Sequence, residues 1–136
     1  MQDRSARPHV RVVAAEIERA GRYLITQRRP QAVLPLLWEF PGGKVEAGET
    51  DQDALARELR EKLQITVDVN ELALHVSHEY DAYTLDLLVY RATISEGEPA
   101  AHLVHEVRWV KAEEFGDYEF PGADQQTIDA LLSDPG

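Results

Sequence analysis

A pair of glycines that leads directly into an acidic helix constrains this chain more than any other feature. Gly42 and Gly43 predict a turn, and the residues after Thr50 predict a helix on which Glu58 and Glu61 share one face, because residues three apart are helical neighbours. Backbone without side chains lets carbonyl oxygens approach an ion closely. Mg²⁺ takes one or two protein carboxylates together with phosphate and water. The segment therefore suits a divalent ion held against a pyrophosphate group.

The acidic composition narrows the choice of partners. The 136 residues carry a formal net charge of −11. A surface this acidic repels nucleic-acid backbones, so we expect no nucleic acid polymer as a partner. It also repels a free nucleotide, so a phosphate site needs a cation, for which a divalent metal is the first candidate. The absence of cysteine excludes disulfides, thiolate metal sites and a cysteine nucleophile.

Chain length and apolar pattern predict a single domain over residues 1–136, with 1–8 as a loose N-terminal segment. The apolar runs, such as residues 85–90, are far too short to span a bilayer, so we expect no membrane partner. The first residues lack the layout of a signal peptide, and we expect a cytoplasmic protein. The sequence leaves open whether it is a monomer or a homodimer.

Alternation of apolar and polar residues predicts five strands, at 9–17, 23–28, 74–80, 83–93 and 104–110. We expect the first two to form a hairpin through a turn at Ala20-Gly21. Thr50 reads as the N-cap of a first helix that ends near Leu63, and a second helix is predicted over 123–132. The predicted buried positions are Ala54, Leu55, Leu59 and Leu63 in the first helix and Ile128, Leu131 and Leu132 in the second. This pattern predicts an α+β sandwich, a mixed sheet with both helices packed against it.

The glycine turn and the acidic helix together resemble the signature of the Nudix hydrolase family. That signature is Gly, five residues, Glu, seven residues, Arg-Glu, an aliphatic residue, any residue, Glu-Glu, any residue, Gly and an aliphatic residue. The matching residues are Gly43, Glu49, Arg57, Glu58, Leu59, Glu61 and Ile65. Similarity to MutT-like members extends over nearly the whole chain, through Arg28, 38–42, Lys44, Trp109 and 120–124. It implies the Nudix α/β/α sandwich.

The resemblance also implies a chemistry, namely the cleavage of a nucleoside diphosphate linked to another group, with Mg²⁺ or Mn²⁺ and an activated water. The expected reaction converts a nucleoside triphosphate into the monophosphate and pyrophosphate, and an oxidised purine nucleotide is one candidate substrate. In this scheme the Gly42 carbonyl, Glu58 and Glu61 bind the metal, with Glu61 as the main ligand. Glu58 is either a ligand or the base that takes the proton from water. Arg57 orients Glu49 and Glu61.

The same resemblance assigns the substrate contacts. Lys44 is expected to contact phosphate, while Arg28, Phe40 and Asp124 are expected to form a base pocket. Phe40 can stack on a base or pack beneath its loop, and the two are compatible because a ring has two faces. Asp124 can accept a hydrogen bond from a base or cap the last helix equally well.

Departures from the signature leave alternatives open. Lys62 stands at the position of the second glutamate of the pair, and Leu103 at that of a further metal-binding acid. Lys62 can form an ordinary pair with Glu58, mark a site that has lost catalysis, or use its ammonium in place of one cation to contact phosphate. The alternative function is therefore a nucleotide-binding or sensor protein without turnover. Gln64, at the glycine position, suggests a helix end that needs no positive φ or is strained.

Overall fold

The computed structural model describes residues 8–133, so the predicted loose segment lies, except for Pro8, outside the described residues. The strands are β1 (His9–Glu16), β2 (Glu18–Arg19), β3 (Arg22–Gln27), β4 (Trp38–Glu39), β5 (Gly42–Lys44), β6 (Thr66–Glu79), β7 (Thr84–Glu96) and β8 (Glu106–Val110). The α-helices are α1 (Asp51–Leu63) and α2 (Gln125–Ser133), and short 3-10 helices span Ala112–Asp117 and Gly122–Asp124. Within residues 8–133 no helix is long and apolar enough to cross a bilayer.

A mixed sheet forms the centre of the molecule, as predicted. Its strand order is β5-β1-β7-β6. β1 runs parallel to β7 and antiparallel to β5, and β6 and β7 form a long antiparallel hairpin. The parallel pair joins segments far apart in sequence, and the other edge of β1 pairs with β5, the strand that contains the two glycines.

The predicted turn at Ala20-Gly21 is confirmed, but the predicted hairpin between the first two long strands is wrong, because these two strands do not pair. Ala20 and Gly21 both have positive φ, 53° and 78°. Across this turn β3 pairs with the short β2, in a second, antiparallel sheet in which β3 also pairs with β4 and β8. β1 does not pair with β3 because β7 and β5 already occupy its two edges.

The two helices cover different faces of the mixed sheet, because alternate residues of a strand point to opposite sides. Val13 belongs to the hydrophobic cluster that contains α1, whereas Ala14 belongs to the one that contains α2. The four apolar residues predicted for α1 are fully buried. In α2, Ile128 and Leu131 are buried, but Leu132 is 54% exposed and its prediction is wrong. Successive helical residues point about 100° apart, so Leu131 and Leu132 cannot both face a narrow contact.

The caps of α1 fix where the acidic face begins and ends. The Thr50 side chain accepts a hydrogen bond from the amide of Asp53 at 3.1 Å, which confirms the predicted N-cap. At the other end Gln64 is left-handed, with φ 60° and ψ 35°, and its amide donates to the Arg60 carbonyl at 3.0 Å. The helix end therefore does use positive φ, and the alternative that it does not is wrong. A residue with a Cβ pays roughly 1 kcal/mol or more for this conformation.

Candidate functional site

The two glycines are required by two different close approaches. A Cβ at Gly42 would collide with the backbone carbonyl of Val13 in the neighbouring strand. A Cβ at Gly43 would collide with the carboxylate of Glu58. The turn therefore lets β5 pair with β1 and, at the next residue, makes room for a carboxylate from α1 directly against the backbone.

Arg57 holds the carboxylates beside this turn. Its guanidinium makes a bidentate pair with Glu49, at 2.7 and 2.9 Å, and further contacts with Glu58 at 3.0 Å and Glu61 at 3.2 Å. It also donates to the Lys44 carbonyl at 3.1 Å. The predicted pairs of Arg57 with Glu49 and Glu61 are confirmed as contacts. The guanidinium, helped by a backbone amide, lowers the pKa of Glu49 to about 2.

Lys62 reaches back from α1 to the glycine turn. Its ammonium donates to the carbonyl oxygen of Gly42 at 2.7 Å and lies 3.4 Å from Oε2 of Glu58. The predicted pair of Lys62 with Glu58 is therefore confirmed, whereas the contact with the Gly42 carbonyl was not predicted. Since Oε1 of Glu58 accepts from Arg57, each oxygen of this buried carboxylate faces a cation.

The side chains as they stand do not fit a divalent ion on the Gly42 carbonyl. An ion about 2.1 Å from that oxygen would lie within about 5 Å of the Lys62 ammonium, a repulsion of roughly 7 kcal/mol at an effective dielectric constant of 20. Within the described part of the chain, no group of three or more Asp, Glu or His residues is arranged to hold a metal. The ligand set of Gly42, Glu58 and Glu61 remains a prediction. The Gly42 carbonyl of this set already accepts a hydrogen bond from Lys62.

Two further acids, Glu98 and Glu106, form ion pairs with arginine side chains. Leu103 offers no carboxylate, and its amide donates to the Lys62 carbonyl at 3.0 Å. Glu98 pairs with Arg19 at 2.8 Å, and Glu106 pairs with Arg108 at 2.9 Å. Both carboxylates are therefore already engaged in ion pairs.

A second polar cluster contains Asp124, Arg28 and Glu39. Nη1 of Arg28 donates to Glu39 at 3.0 Å, and its Nε donates to the Val33 carbonyl at 2.6 Å. Asp124 is only 6% exposed. Burial, followed by the nearby Glu39 charge, raises the pKa of Asp124 well above its usual range, and Arg28 opposes this only in part. The neutral form of this carboxyl is therefore more stable, relative to the ionised form, than in an exposed Asp.

Asp124 lies immediately before the first residue of α2, so the alternative that it caps this helix stays a prediction. It lies inside the 3-10 helix Gly122–Asp124, whose N-terminal cap residue is Pro121. Phe40 packs beneath its loop, as one interpretation held: it is 3% exposed, and its ring lies 5.6 Å from those of Phe115 and Phe120.

One pocket of about 760 Å³ brings most of the predicted residues together. Those that line it are Arg28, Phe40, Gly42, Lys44, Glu58 and Asp124, joined by Lys62. Arg57, Glu49 and Glu61 are not among its lining residues, although Arg57 contacts the lining carboxylate of Glu58.

The lining residues that were not assigned to the site from the sequence include Glu39, Tyr80 and Tyr83. The two tyrosine rings lie 5.2 Å apart, at the turn between β6 and β7. Two aromatic residues flanking a predicted turn were a usable signal for a binding wall. Glu39 had only its position beside Phe40 as a signal.

Comparison with known proteins adds to this geometry. The model of the NUDIX domain family matches residues 12–130. The chain is 36% identical to the CTP pyrophosphohydrolase of Escherichia coli, over 91% of this chain and 92% of that protein. It is also 36% identical to the 8-oxo-dGTP diphosphatase of Haemophilus influenzae, over 84% of each. The solution structure of the E. coli ORF135 protein matches with a TM-score of 0.82 and 34% identity, covering 97% of this chain and 94% of that one.

Proposed function

Because the chain belongs to the Nudix hydrolase family, we propose that it hydrolyses a nucleoside triphosphate to the monophosphate and pyrophosphate. The observation that carries this proposal is a single pocket bordered by Lys44 and Lys62 and also by Arg28 and Asp124. The lysines suit phosphates, and the second pair suits the polar edge of a base. We also propose that residues 1–136 form one domain of a cytoplasmic protein that acts in nucleotide-pool sanitation, on a small-molecule nucleotide.

In the proposed reaction, the oxygen of a water molecule forms a bond to a phosphorus atom and the bond to the bridging oxygen breaks. Pyrophosphate leaves with that oxygen, and the proton of the water passes to a carboxylate. We assign this proton to Glu61, whose side chain is 52% exposed and contacts Arg57 at 3.2 Å. Glu58 is buried and contacts both Arg57 and Lys62. Its proposed role is to position those two cations.

Nudix hydrolases use divalent metal ions. Because the Gly42 carbonyl is bonded to Lys62, we propose that Mg²⁺ or Mn²⁺ enters with the phosphates of the nucleotide, as part of the substrate complex. Such an ion would neutralise charge on the phosphate oxygens. The proton acceptor, the lysines and the pocket wall are supplied by the chain itself.

At the base end, Asp124 determines what can be recognised. An ionised carboxylate only accepts hydrogen bonds, and on that basis guanine, which presents N–H groups, would be favoured. A neutral carboxyl both donates and accepts, and the raised pKa of Asp124 favours that form. It can therefore pair with the N–H groups of guanine or 8-oxo-guanine, and equally with an edge that presents an acceptor beside a donor, such as that of cytosine.

A phosphate-release screen with added pyrophosphatase tests the proposal. The panel contains the common ribo- and deoxyribonucleoside triphosphates and 8-oxo-dGTP, each with Mg²⁺ and with Mn²⁺. We expect turnover of at least one nucleotide, and a loss of about 10²-fold or more in Glu61→Gln, the usual effect of removing a general base. The control Glu113→Gln changes an exposed acid in the 3-10 helix Ala112–Asp117 and should retain wild-type turnover. An active Glu61→Gln enzyme would remove Glu61 from the reaction.

A nucleotide-binding protein without turnover is the second candidate. The observation that favours it is the Lys62 ammonium on the Gly42 carbonyl, where the family resemblance implied a metal ion. The same screen separates the two functions, because this candidate requires nucleotide binding with no phosphate release from any member of the panel.

A further inference from the structure

The position of the Lys62 side chain is more restricted than that of a surface lysine. Its side chain is 28% exposed, it borders the pocket, and its ammonium lies 2.7 Å from the Gly42 carbonyl oxygen. A surface pair between residues four apart on a helix is usually worth little and leaves both side chains in solvent. Here the Lys62 side chain instead extends from α1 to the glycine turn, where its ammonium contacts both the Gly42 carbonyl and Glu58.

The ammonium still has a hydrogen-bond donor to offer. A protonated lysine carries three N–H groups. One donates to Gly42, and a second faces Oε2 of Glu58 at 3.4 Å. The third has no partner among the hydrogen bonds and ion pairs of the described residues, and the ammonium borders the pocket.

The charge balance beside the turn depends on this lysine. Four carboxylates, those of Glu46, Glu49, Glu58 and Glu61, face the two cations Arg57 and Lys62, which leaves two formal negative charges. With an acid in place of Lys62, five carboxylates would face a single guanidinium and the formal charge would be four negative. A triphosphate could then approach only if a divalent ion came between. With Lys62 present, the formal negative charge is halved, so part of that neutralisation is supplied by the chain.

We propose that the ammonium of Lys62 is a built-in cation of the phosphate site, which holds the place of an ion on the Gly42 carbonyl and donates directly to a phosphate oxygen of the ligand. The inference rests on the proposed function only in taking that ligand to be phosphorylated. It goes beyond that function in one respect, since phosphate binding at this position requires no divalent ion.

Isothermal titration with inorganic pyrophosphate in EDTA tests this inference without any need for turnover. The variant Lys62→Gln removes the charge but keeps a donor, and Lys62→Arg keeps the charge. Arg60→Gln is the matched control, because Arg60 lies two residues away on the same helix but contacts Thr66, at 2.9 Å. Thermal unfolding of each variant checks that it is folded before titration.

We expect wild-type protein to bind pyrophosphate in EDTA, and Lys62→Gln to bind it about tenfold more weakly or worse, as for a lost charge-assisted hydrogen bond. Lys62→Arg should remain within about threefold of wild type, and Arg60→Gln within about twofold. No binding in EDTA, equal affinities for wild type and Lys62→Gln, or equal losses in Lys62→Gln and Arg60→Gln would each overturn the inference. If the expected affinities are found but the screen detects no turnover, the proposed function fails and this inference stands. If turnover is found but Lys62→Gln does not change the affinity for pyrophosphate, the proposed function stands and this inference fails.

Discussion

Carboxyl groups at the two ends of the pocket have opposite electrostatic environments. Beside the glycine turn, Glu58 faces Arg57 on one oxygen and Lys62 on the other. At the other end, Asp124 is similarly buried, but its nearest cation, Arg28, already donates to Glu39 and to a backbone carbonyl. Arg57 lowers the pKa of Glu49 beside the turn, whereas burial, followed by the Glu39 charge, raises the pKa of Asp124.

This difference suits the two halves of a nucleotide. Phosphates carry a fixed charge, and the fixed charges of Arg57, Lys44 and Lys62 provide a constant electrostatic environment for them. Bases differ in their donors and acceptors, and a carboxyl group that can exist in either protonation state can pair with more than one such edge. The comparison can be tested by removing cations at one end and the ionisable group at the other.

The largest effect on stability is expected from Arg57→Met. This change leaves Glu49, Glu58 and Glu61 without their shared guanidinium and the Lys44 carbonyl without its donor. We expect the free energy of unfolding to fall by about 2–3 kcal/mol, in the range for a partly buried charged network. Urea denaturation measures the loss, and Arg60→Met, on the same helix, should cost less than about 1 kcal/mol. Equal losses would mean that Arg57 stabilises the fold no more than a surface arginine does.

Lys62→Glu is expected to have the next largest effect on stability. It should lower stability in the absence of metal and strengthen the binding of Mg²⁺. Without metal, the Gly42 carbonyl loses its donor and Glu58 gains a like charge, so stability should fall by about 1–2 kcal/mol. The added acid restores the ligand position of the family signature, so calorimetric titration with Mg²⁺ alone should show tighter binding than in wild type. Weaker Mg²⁺ binding in Lys62→Glu would show that the carbonyl and Glu58 do not form a metal site even with the acid present.

Local features of this fold could be predicted from the sequence, because they depend on residues close together in the chain. The buried face of α1, its Thr50 cap and the Ala20-Gly21 turn each follow from a periodicity or from the chemistry of a single residue. The partner of β1 could not be predicted in this way, since β7 lies some 75 residues further along. Alternation predicts a strand but does not identify the strand beside it.

The same limit applies to the site. The spacing of Arg57, Glu58 and Glu61 predicted their shared face, and the structure has these contacts. The bond between Lys62 and the Gly42 carbonyl joins residues 20 apart through a flexible side chain, which no helical periodicity encodes. Asp124 owes its raised pKa first to burial and then to Glu39, from a distant strand, and the sequence alone shows neither.

At the incompletely paired end, Asp124→Asn should stabilise the protein near neutral pH. Because the folded-state pKa of Asp124 is raised, folding is favoured at low pH and loses stability as the pH rises from the unfolded-state value of 3.8 through the folded-state value. Asparagine has nearly the same shape and no ionisation, so it removes this cost, which is on the order of 1 kcal/mol. Urea denaturation at pH 5 and pH 8 should show a gain that is larger at pH 8. A loss of stability at both values would mean that the ionised carboxylate is well solvated or paired.

The smallest effect is expected at Glu49, and it should appear only in acid. Arg57, followed by a backbone amide, lowers its pKa from 4.5 to about 2, so its contribution to stability is complete above about 4.5. That contribution is lost as the pH falls from about 4.5 toward 2, because the unfolded chain binds the proton more readily. Glu49→Gln should therefore show a shallower decline in thermal midpoint than wild type across this window. Glu113→Gln, which removes an exposed acid of the 3-10 helix Ala112–Asp117, should keep the wild-type slope. If Glu49→Gln and wild type declined in parallel, the bidentate pair with Arg57 would contribute nothing to stability in solution.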